Sequence, residues 1–299
     1  MFNRYPIVFV SAVLAALVVS ASLPCQRQVK QLTKRKEPHF DAQISPNGTL
    51  VAFKGKQKIG IVDVGGNKET DVATGTGLGS FVWAPNNSGL YFLDGTTVKF
   101  VPKNGGTPST IGTGKGTMIL GCVDRTDKAI YGTRRDSNGN WYVFSLATSG
   151  SASPQDIVSI ASNHWVEGVC VDFANKKLAY FVSLQGVHKP KDLLVADVDG
   201  KNEKSWSGGQ KLPAATRNLA WADAGTTVAF TTIVGNPQIT WQLARLTAAS
   251  TTPQYLTGAP RNHQRSVTGG NLSWIVMEAE TVGSRKVPAV IPSAGGGRV

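Results

Sequence analysis

The stretch Ile44-Ser-Pro-Asn-Gly-Thr-Leu-Val-Ala-Phe53 decides the fold class of this chain. An apolar residue precedes a turn of small and polar residues, and a second apolar run follows the turn. Pro, Asn and Gly in sequence are typical of a tight turn, so the pattern predicts two strands joined as a hairpin. The pattern recurs as Trp83-Ala-Pro-Asn-Asn-Ser-Gly-Leu-Tyr-Phe92, which indicates a repeat architecture.

Four further copies of this pattern follow along the chain, of which the sixth is the weaker one. They begin at Cys122, Val171, Trp221 and Val267, so successive copies lie 39, 39, 49, 50 and 46 residues apart. Third and fourth short apolar stretches follow most copies, and no stretch beyond the N-terminal segment has the pattern of a buried helix. Periods of this size are typical of the four-stranded blades of a β-propeller.

The two ends of the repeat array are complementary. The sixth repeat has three apparent strands before Gly295, whereas residues 29–33 form a spare strand ahead of the first repeat. If the spare strand pairs into the last blade, the ring closes and two open sheet edges disappear. The sequence therefore predicts an all-β fold, a six-bladed β-propeller closed by its N-terminal strand, as a single domain at 22–299.

The repeats resemble those of the TolB-like propeller family, which has a WD-like repeat. In that family the hairpin reads S-P-D-G-x-x-I-A-F and a later strand ends in D-x-x-G-G; the counterparts here are Ser45-Pro-Asn-Gly48 and Asp63-Val-Gly-Gly66. The resemblance covers the propeller part only, and we expect no counterpart of the α/β domain that precedes the propeller in TolB. It implies a six-bladed, extracytoplasmic propeller that binds other proteins without catalysis.

Residues 1–21 have the pattern of a secretory signal peptide. Arg4 gives the N-terminal region a positive charge, and an apolar run extends from Ile7 to Val19. Val19-Ser-Ala21 then provides the small residues at which a signal peptidase would cleave. A membrane anchor is the alternative, although a run of 13 residues is short for a span. Lipidation of Cys25 would also hold the protein on a membrane. We expect a periplasmic or secreted protein.

The chain is strongly basic, with a formal net charge of +12. Such a charge favours association with anionic partners through a long-range, salt-sensitive field. Because export argues against nucleic acid, the expected partner is an envelope protein or peptide, or an anionic envelope polymer. Solubility alone is the other explanation of the charge.

Cys122 and Cys170 fall on the predicted innermost strands of the third and fourth blades. In this alignment Cys122 begins its repeat and Cys170 precedes Val171 by one residue, so the two sulfurs project to opposite faces of their blades. Neighbouring blades pack opposite faces together, and export favours oxidation, so this parity permits a disulfide between blades. Two buried free thiols are the alternative.

Three of the four histidines precede predicted innermost strands, at the expected mouth of the central channel. Neutral imidazole nitrogen is a common metal ligand, so the three could hold a metal ion, although their spacing from the repeat differs. A polar lining that contacts a ligand is the alternative. The candidate ligand-binding residues at this mouth are His39, His164, Trp165, Arg217, His263 and Gln264, of which His39, His164 and His263 are the candidate metal ligands.

The sequence shows no catalytic motif. No G-x-S-x-G elbow, zinc motif or phosphate-binding loop is present in the chain. We therefore expect a binding platform for a protein or peptide of the cell envelope, without a cofactor. A metal-dependent lyase or hydrolase that acts on an acidic polysaccharide through the channel is the alternative, and a purely structural envelope component is a third possibility.

Overall fold

A computed structural model describes residues 32, 40–66, 68–172, 174–185, 189–208, 211–221, 225–234, 240–255, 263–268, 274–281 and 285–292. The predicted signal peptide, Cys25 and His39 lie outside these residues, as do residues 29–33 apart from Leu32. Among the described residues, no helix is long and apolar enough to cross a membrane.

The first three blades are four-stranded antiparallel sheets in which chain order is also spatial order. Blade 1 comprises β1 (Phe40–Ile44), β2 (Leu50–Lys54), β3 (Lys58–Asp63) and β4 (Glu69–Thr74). Blade 2 comprises β5 (Leu78–Trp83), β6 (Gly89–Asp94), β7 (Thr97–Pro102) and β8 (Ser109–Thr113). Blade 3 comprises β9 (Thr117–Val123), β10 (Ala129–Arg135), β11 (Trp141–Ala147) and β12 (Gln155–Ile160).

Two further four-stranded sheets and one three-stranded sheet follow. Blade 4 comprises β13 (His164–Val171), β14 (Lys177–Leu184), β15 (Lys191–Asp197) and β16 (Lys204–Ser205). Blade 5 comprises β17 (Arg217–Trp221), β18 (Thr227–Val234), β19 (Thr240–Thr247) and β20 (Ser250–Tyr255). The last sheet comprises β21 (His263–Thr268), β22 (Trp274–Thr281) and β23 (Arg285–Pro292).

The first strand of each sheet contacts the first strand of the next, which places these strands innermost. These contacts run from β1 to β5, β9, β13, β17 and β21, and β21 also contacts β1. The arrangement is that of a β-propeller, as the repeat pattern predicts.

The predicted count of six blades with an N-terminal closing strand is not confirmed. The structure shows five four-stranded blades, and the last sheet has three strands within the described part. The strand expected to complete that sheet lies outside the described residues except for Leu32, which is buried against Ile44, Val51 and Phe53 of blade 1.

Blades 1 to 5 are buried on both faces, which explains why their strands read as continuous apolar runs. In β2, Val51 and Phe53 belong to the cluster on one side of blade 1, whereas Ala52 packs against Phe81 and Phe92 of blade 2. All three β2 side chains are fully buried. Stacking of blades face to face therefore forms the core.

One hairpin geometry joins the first and second strands of blades 1 to 4. When the last residue of the first strand is counted as position 1, the residue at position 5 has a left-handed backbone. Gly48, Asn87, Asp127 and Asn175 have φ values of 75°, 59°, 58° and 55°. The amide of this residue donates to the carbonyl three residues earlier in each copy. Only Gly, Asn and Asp adopt this conformation readily, which explains why these residue types recur there.

The left-handed residues of blades 2, 3 and 4 also contact the blade before their own. Asn87 Oδ1 accepts the amide of Asn47 at 3.0 Å, and Asn175 Oδ1 accepts the amide of Arg125 at 3.1 Å. Asp127 accepts hydrogen bonds from Asn86 Nδ2 at 3.2 Å and from the Tyr91 hydroxyl at 2.9 Å. We call these contacts the turn latches; they fix blades 2, 3 and 4 each against the preceding blade.

The third repeat begins one residue later than the sequence alignment placed it. Val123 pairs with Ile130 as Val171 pairs with Leu178, so Val123, and not Cys122, is the last residue of its first strand in register. Cys122 and Cys170 therefore occupy the same repeat position, and the parity argument for a disulfide between blades was wrong.

The register between first and second strands shifts once in every sheet, as at a β-bulge. In blades 1, 4 and 5 the shift coincides with a left-handed residue three positions before the strand end: Asp41, Gly168 and Asn218 have φ values of 52°, 63° and 55°. A bulge re-aims the side chains beyond it. The first residues of each innermost strand are thereby set apart from the part that packs in the core.

We expect Asn87→Ala to destabilise the protein by about 2 kcal/mol, because it removes a hydrogen bond between blades and forces a left-handed Ala. Asn87→Gly keeps the backbone conformation and should cost about 1 kcal/mol. Urea unfolding monitored by fluorescence measures both. Asn138→Ala, in an exposed turn of blade 3, is the control and should change stability by less than about 0.5 kcal/mol. Equal effects of the Ala and Gly variants would contradict the strain argument.

Candidate functional site

All innermost strands run in the same direction, so their first residues share one face of the ring. We call this the entry face; it also carries the loops from second to third strands and the loops between blades. The opposite face, which we call the turn face, carries the latched hairpins and the loops from third to fourth strands. The two faces of the propeller are therefore built from different parts of the repeat.

The structure places the predicted channel-mouth residues at the starts of innermost strands. His164 and Trp165 begin β13, Arg217 begins β17, and His263 and Gln264 begin β21. His39 lies outside the described residues, and so do the side chains of Arg217, His263 and Gln264. The backbone thus brings five of the six candidates to the entry face, whereas the contacts of most of their side chains stay a prediction.

His164 and Trp165 are half-buried and face different neighbours. Val166, on the same face of β13 as His164, packs against Tyr131 and Val143 of blade 3. His164 therefore faces blade 3, and its buried Nδ1 has no hydrogen-bond partner within the described part of the chain. Trp165 pairs with Ser183 on the other face of the blade, towards blade 5.

A polar layer lies between blades 4 and 5 beneath Trp165. Lys191, whose side chain is only 4% exposed, forms an ion pair with Glu167 and donates to the Thr216 carbonyl at 2.7 Å. The hydroxyls of Thr216 and Thr232 are 2.7 Å apart. Burial of an ammonium group is costly unless it is paired, so Glu167 is required here for the burial of Lys191.

The two faces carry very different charge in the described residues. The loops and strand ends of the entry face hold ten basic residues and two acidic ones: Lys54, Lys56, Lys58, Lys115, Arg135, Lys189, Lys191, Lys211, Arg217 and Arg285 against Asp94 and Asp136. Those of the turn face hold eight of each: Lys68, Lys103, Arg125, Lys128, Lys176, Lys177, Lys201 and Lys204 against Asp63, Glu69, Asp124, Asp127, Asp172, Asp197, Asp199 and Glu203. Four of these lysines are paired with carboxylates that lie further along the strands: Lys54 with Asp41, Lys58 with Asp71, Lys191 with Glu167 and Lys211 with Asp192. With these four carboxylates counted, the entry face holds ten basic residues against six acidic ones, so the excess positive charge of the described chain still lies on this face.

The acidic residues of the turn face have structural partners. Asp124 Oδ1 accepts the amide of Lys128 at 2.7 Å, and Asp172 Oδ1 accepts the amides of Lys176 and Lys177 at 2.6 and 2.9 Å. Such side-chain-to-backbone bonds favour Asp in turns. The hairpins thus concentrate acidic residues on one face and leave the other basic.

Cys122 and Cys170 are free cysteines in the structure. Cys170 belongs to the core cluster between blades 4 and 5, and Cys122 of blade 3 packs against that cluster. Cys122 Sγ accepts the amide of Val171 at 3.1 Å. Burial raises the pKa of the Cys122 thiol to about 12 and that of the Cys170 thiol well above its ordinary value. A disulfide between Cys122 and Cys170, which the sequence left open, stays a prediction.

No group of three His, Cys, Asp or Glu side chains within the described ranges is placed to hold a metal ion. Two of the three histidines of the candidate metal site, His39 and His263, have side chains outside those ranges, so the metal prediction is untested.

Two polar groups near His164 were missed by the sequence reasoning. Thr133 Oγ1 and Trp141 Nε1 are buried on the side of blade 3 that faces blade 4 and, within the described part, have no hydrogen-bond partner. Trp141 had the pattern of an ordinary strand residue, and Thr133 had no distinguishing neighbour in the sequence. Only the packing of one blade on the next places them beside His164.

No protein-family model matches the chain. No curated protein matches it. Among solved structures, the fold matches TolB from Acinetobacter baumannii with a TM-score of 0.60 and 14% identity, over 87% of this chain and 61% of that one. The chain has a TolB-like propeller fold.

Oligogalacturonate lyases share the propeller fold. The enzyme from Vibrio parahaemolyticus matches with a TM-score of 0.61 and 10% identity, over 90% of this chain and 80% of that one. An oligogalacturonate lyase in complex with manganese matches with a TM-score of 0.62 and 10% identity, over 89% and 78%. At such identities the similarity establishes the fold alone.

We expect Cys122 and Cys170 to resist alkylation by iodoacetamide at pH 8 in the folded protein, because their buried thiols stay protonated. After unfolding in guanidinium, a Cys25→Ser variant should react at both positions, as counted by mass spectrometry. Alkylation of the native protein would contradict the burial. Two unreactive positions after unfolding, recovered by a reductant, would instead show that the pair is oxidised.

Proposed function

We propose that this TolB-like propeller is an extracytoplasmic binding platform that takes an acidic protein or peptide of the cell envelope on its entry face. The observation that supports this is the separation of charge between the two faces. Positive charge collected on one face attracts an anionic partner and orients its approach. The turn face has fewer polar side chains that are available to a partner, because many of them already form hydrogen bonds in the turn latches and within the hairpins.

Several basic side chains of the entry face are available to a partner. Lys56, Lys115 and Lys189 are exposed, and each belongs to a different blade. The candidate channel-mouth residues occupy the inner rim of the same face, so a partner seated over the channel would contact both groups. An anionic envelope polymer would be attracted by the same charge.

The proposed location is the periplasm or the cell exterior. The signal-peptide pattern of residues 1–21 supports export, and the TolB-like fold agrees with an envelope protein. Lipidation at Cys25 would add attachment to a membrane without changing the proposed role of the propeller.

A metal-dependent lyase on an acidic polysaccharide is the second candidate. His164 and His263 both begin innermost strands, His39 directly precedes one, and oligogalacturonate lyases share the fold. The purified protein should be incubated with manganese, desalted and analysed for metal. Under the binding-platform proposal, we expect less than stoichiometric metal and no change on replacing His39 and His164 by Ala. Stoichiometric metal that the double variant loses, together with polygalacturonate cleavage, would favour the lyase.

We expect the triple variant Lys56→Glu, Lys115→Glu and Lys189→Glu to weaken binding of an acidic envelope partner at least tenfold, because it reverses charge on the entry face. The matched control reverses three exposed basic residues elsewhere, Lys128, Lys176 and Lys204, and should change the affinity by less than threefold. Capture from envelope extract identifies the partner, and calorimetry at two salt concentrations measures the affinity. Equal losses for both variants would contradict an entry-face site.

A further inference from the structure

Three buried polar atoms at the boundary between blades 3 and 4 have no hydrogen-bond partner in the part of the chain that the structure describes. They are Thr133 Oγ1, Trp141 Nε1 and His164 Nδ1. Thr133 is 2% exposed, whereas Trp141 and His164 are half-buried residues whose polar ring atoms are shielded from water. Unpaired polar groups in a folded core are rare, so three at one boundary call for a ligand or a water.

The strand register places the three groups together at the entry end of this boundary. Trp141 begins β11 and pairs with Arg135 and Ile160, and Thr133 lies two residues from Arg135 on the same face of β10. Trp141 and Ile160 pack in the cluster that contains Val166 of blade 4. His164 lies on that face of β13, two residues nearer the entry end than Val166.

The chemistry of the three groups favours a hydrogen-bond acceptor. The indole N–H of Trp141 only donates, the hydroxyl of Thr133 can donate, and a neutral imidazole can donate from Nδ1. A carboxylate offers about four lone-pair sites to such donors. Arg135, directly across from Trp141, adds a positive charge; its Nε donates to the Gly139 carbonyl at 3.2 Å, which leaves its other N–H groups for further contacts.

We propose that Thr133, Trp141 and His164 form a carboxylate-binding subsite between blades 3 and 4, which takes an acidic side chain of the partner. This proposal rests on the proposed function, since it assigns one anchoring contact of an acidic peptide on the entry face. In this subsite the tryptophan that contacts the acid is Trp141. Trp165, which follows His164 but lies on the other face of β13, does not contact it. Binding opens the shielded boundary and satisfies all three groups.

The test uses nuclear magnetic resonance of the full mature protein labelled with ¹⁵N. The probe is a blocked glutamate, N-acetylglutamate α-amide, whose only charge is its side-chain carboxylate; N-acetylglutamine amide is the neutral comparison. We expect the Trp141 indole signal, assigned by its loss in Trp141→Phe, to shift with saturation for the acid only. The indoles of Trp83 and Trp221 serve as internal controls, because they already donate to the carbonyls of Gln43 and Cys170 at 3.1 and 3.2 Å.

Thr133→Val tests the hydroxyl without changing the side-chain shape. We expect the probe affinity to fall about tenfold, as for loss of a hydrogen bond to a charged group. The urea midpoint of the ligand-free variant should not fall, because the hydroxyl has no partner to lose. Thr232→Val is the matched control, since its buried hydroxyl is bonded to Thr216; it should lower the urea midpoint and leave the affinity unchanged.

Three results would overturn the subsite. The first is a Trp141 signal that does not move with the acid, and the second is an equal shift with the neutral comparison. The third is a fall in the urea midpoint of Thr133→Val with no response to the acid, which would show that the boundary holds an ordered water. If the entry-face charge reversal still weakens the partner in any of these cases, only the subsite fails and the proposed function stands.

Discussion

The structure depends on one contact that blades 2, 3 and 4 each make with the blade before: the side chain of a left-handed turn residue accepts a hydrogen bond from that blade. The backbone conformation and the contact need each other, since only a short polar side chain tolerates the conformation and also reaches across. The fifth blade has Gly225 at this position, where a φ of 97° and a distance of 3.0 Å from a built Cβ to Asp172 Oδ2 both favour glycine. The blades are thus fixed at their turns as well as by their apolar faces.

The same turns explain how a binding face arises. Hairpins that need Asp, Asn and Gly take acidic residues into structural roles on the turn face. The entry face makes fewer such demands, as at Asp136, whose Oδ1 accepts the amides of Asn138 and Asn140, and bulges in the innermost strands separate its first residues from the regular register of the core. Function can therefore vary at the entry face while the turns hold the scaffold, as is common for loops on a rigid support.

Most of the fold could be predicted from sequence because the hairpin pattern is local. The spacing of Ile44, Trp83, Val171 and Trp221 located the strands correctly. The third copy was misplaced by one residue because an apolar residue, Cys122, was taken as the marker; Asp124, which holds its turn as Ser45 and Asp172 hold theirs, is the better one. The candidate site was harder to predict from the sequence, since Thr133, Trp141 and His164 come together only through the packing of two blades. The predicted count of six complete blades also differed from the five four-stranded blades of the structure. That count depended on pairing between residues 29–33 and the last sheet, at opposite ends of the chain.

The unequal distribution of charge has a consequence for how the protein sits in its surroundings. A disc with one basic and one nearly neutral side has an electric dipole along the axis of its ring. Near a negatively charged surface such a dipole experiences a torque that turns the basic side inward. The molecule would then lie flat, with its channel pointing at the surface, before any specific recognition takes place.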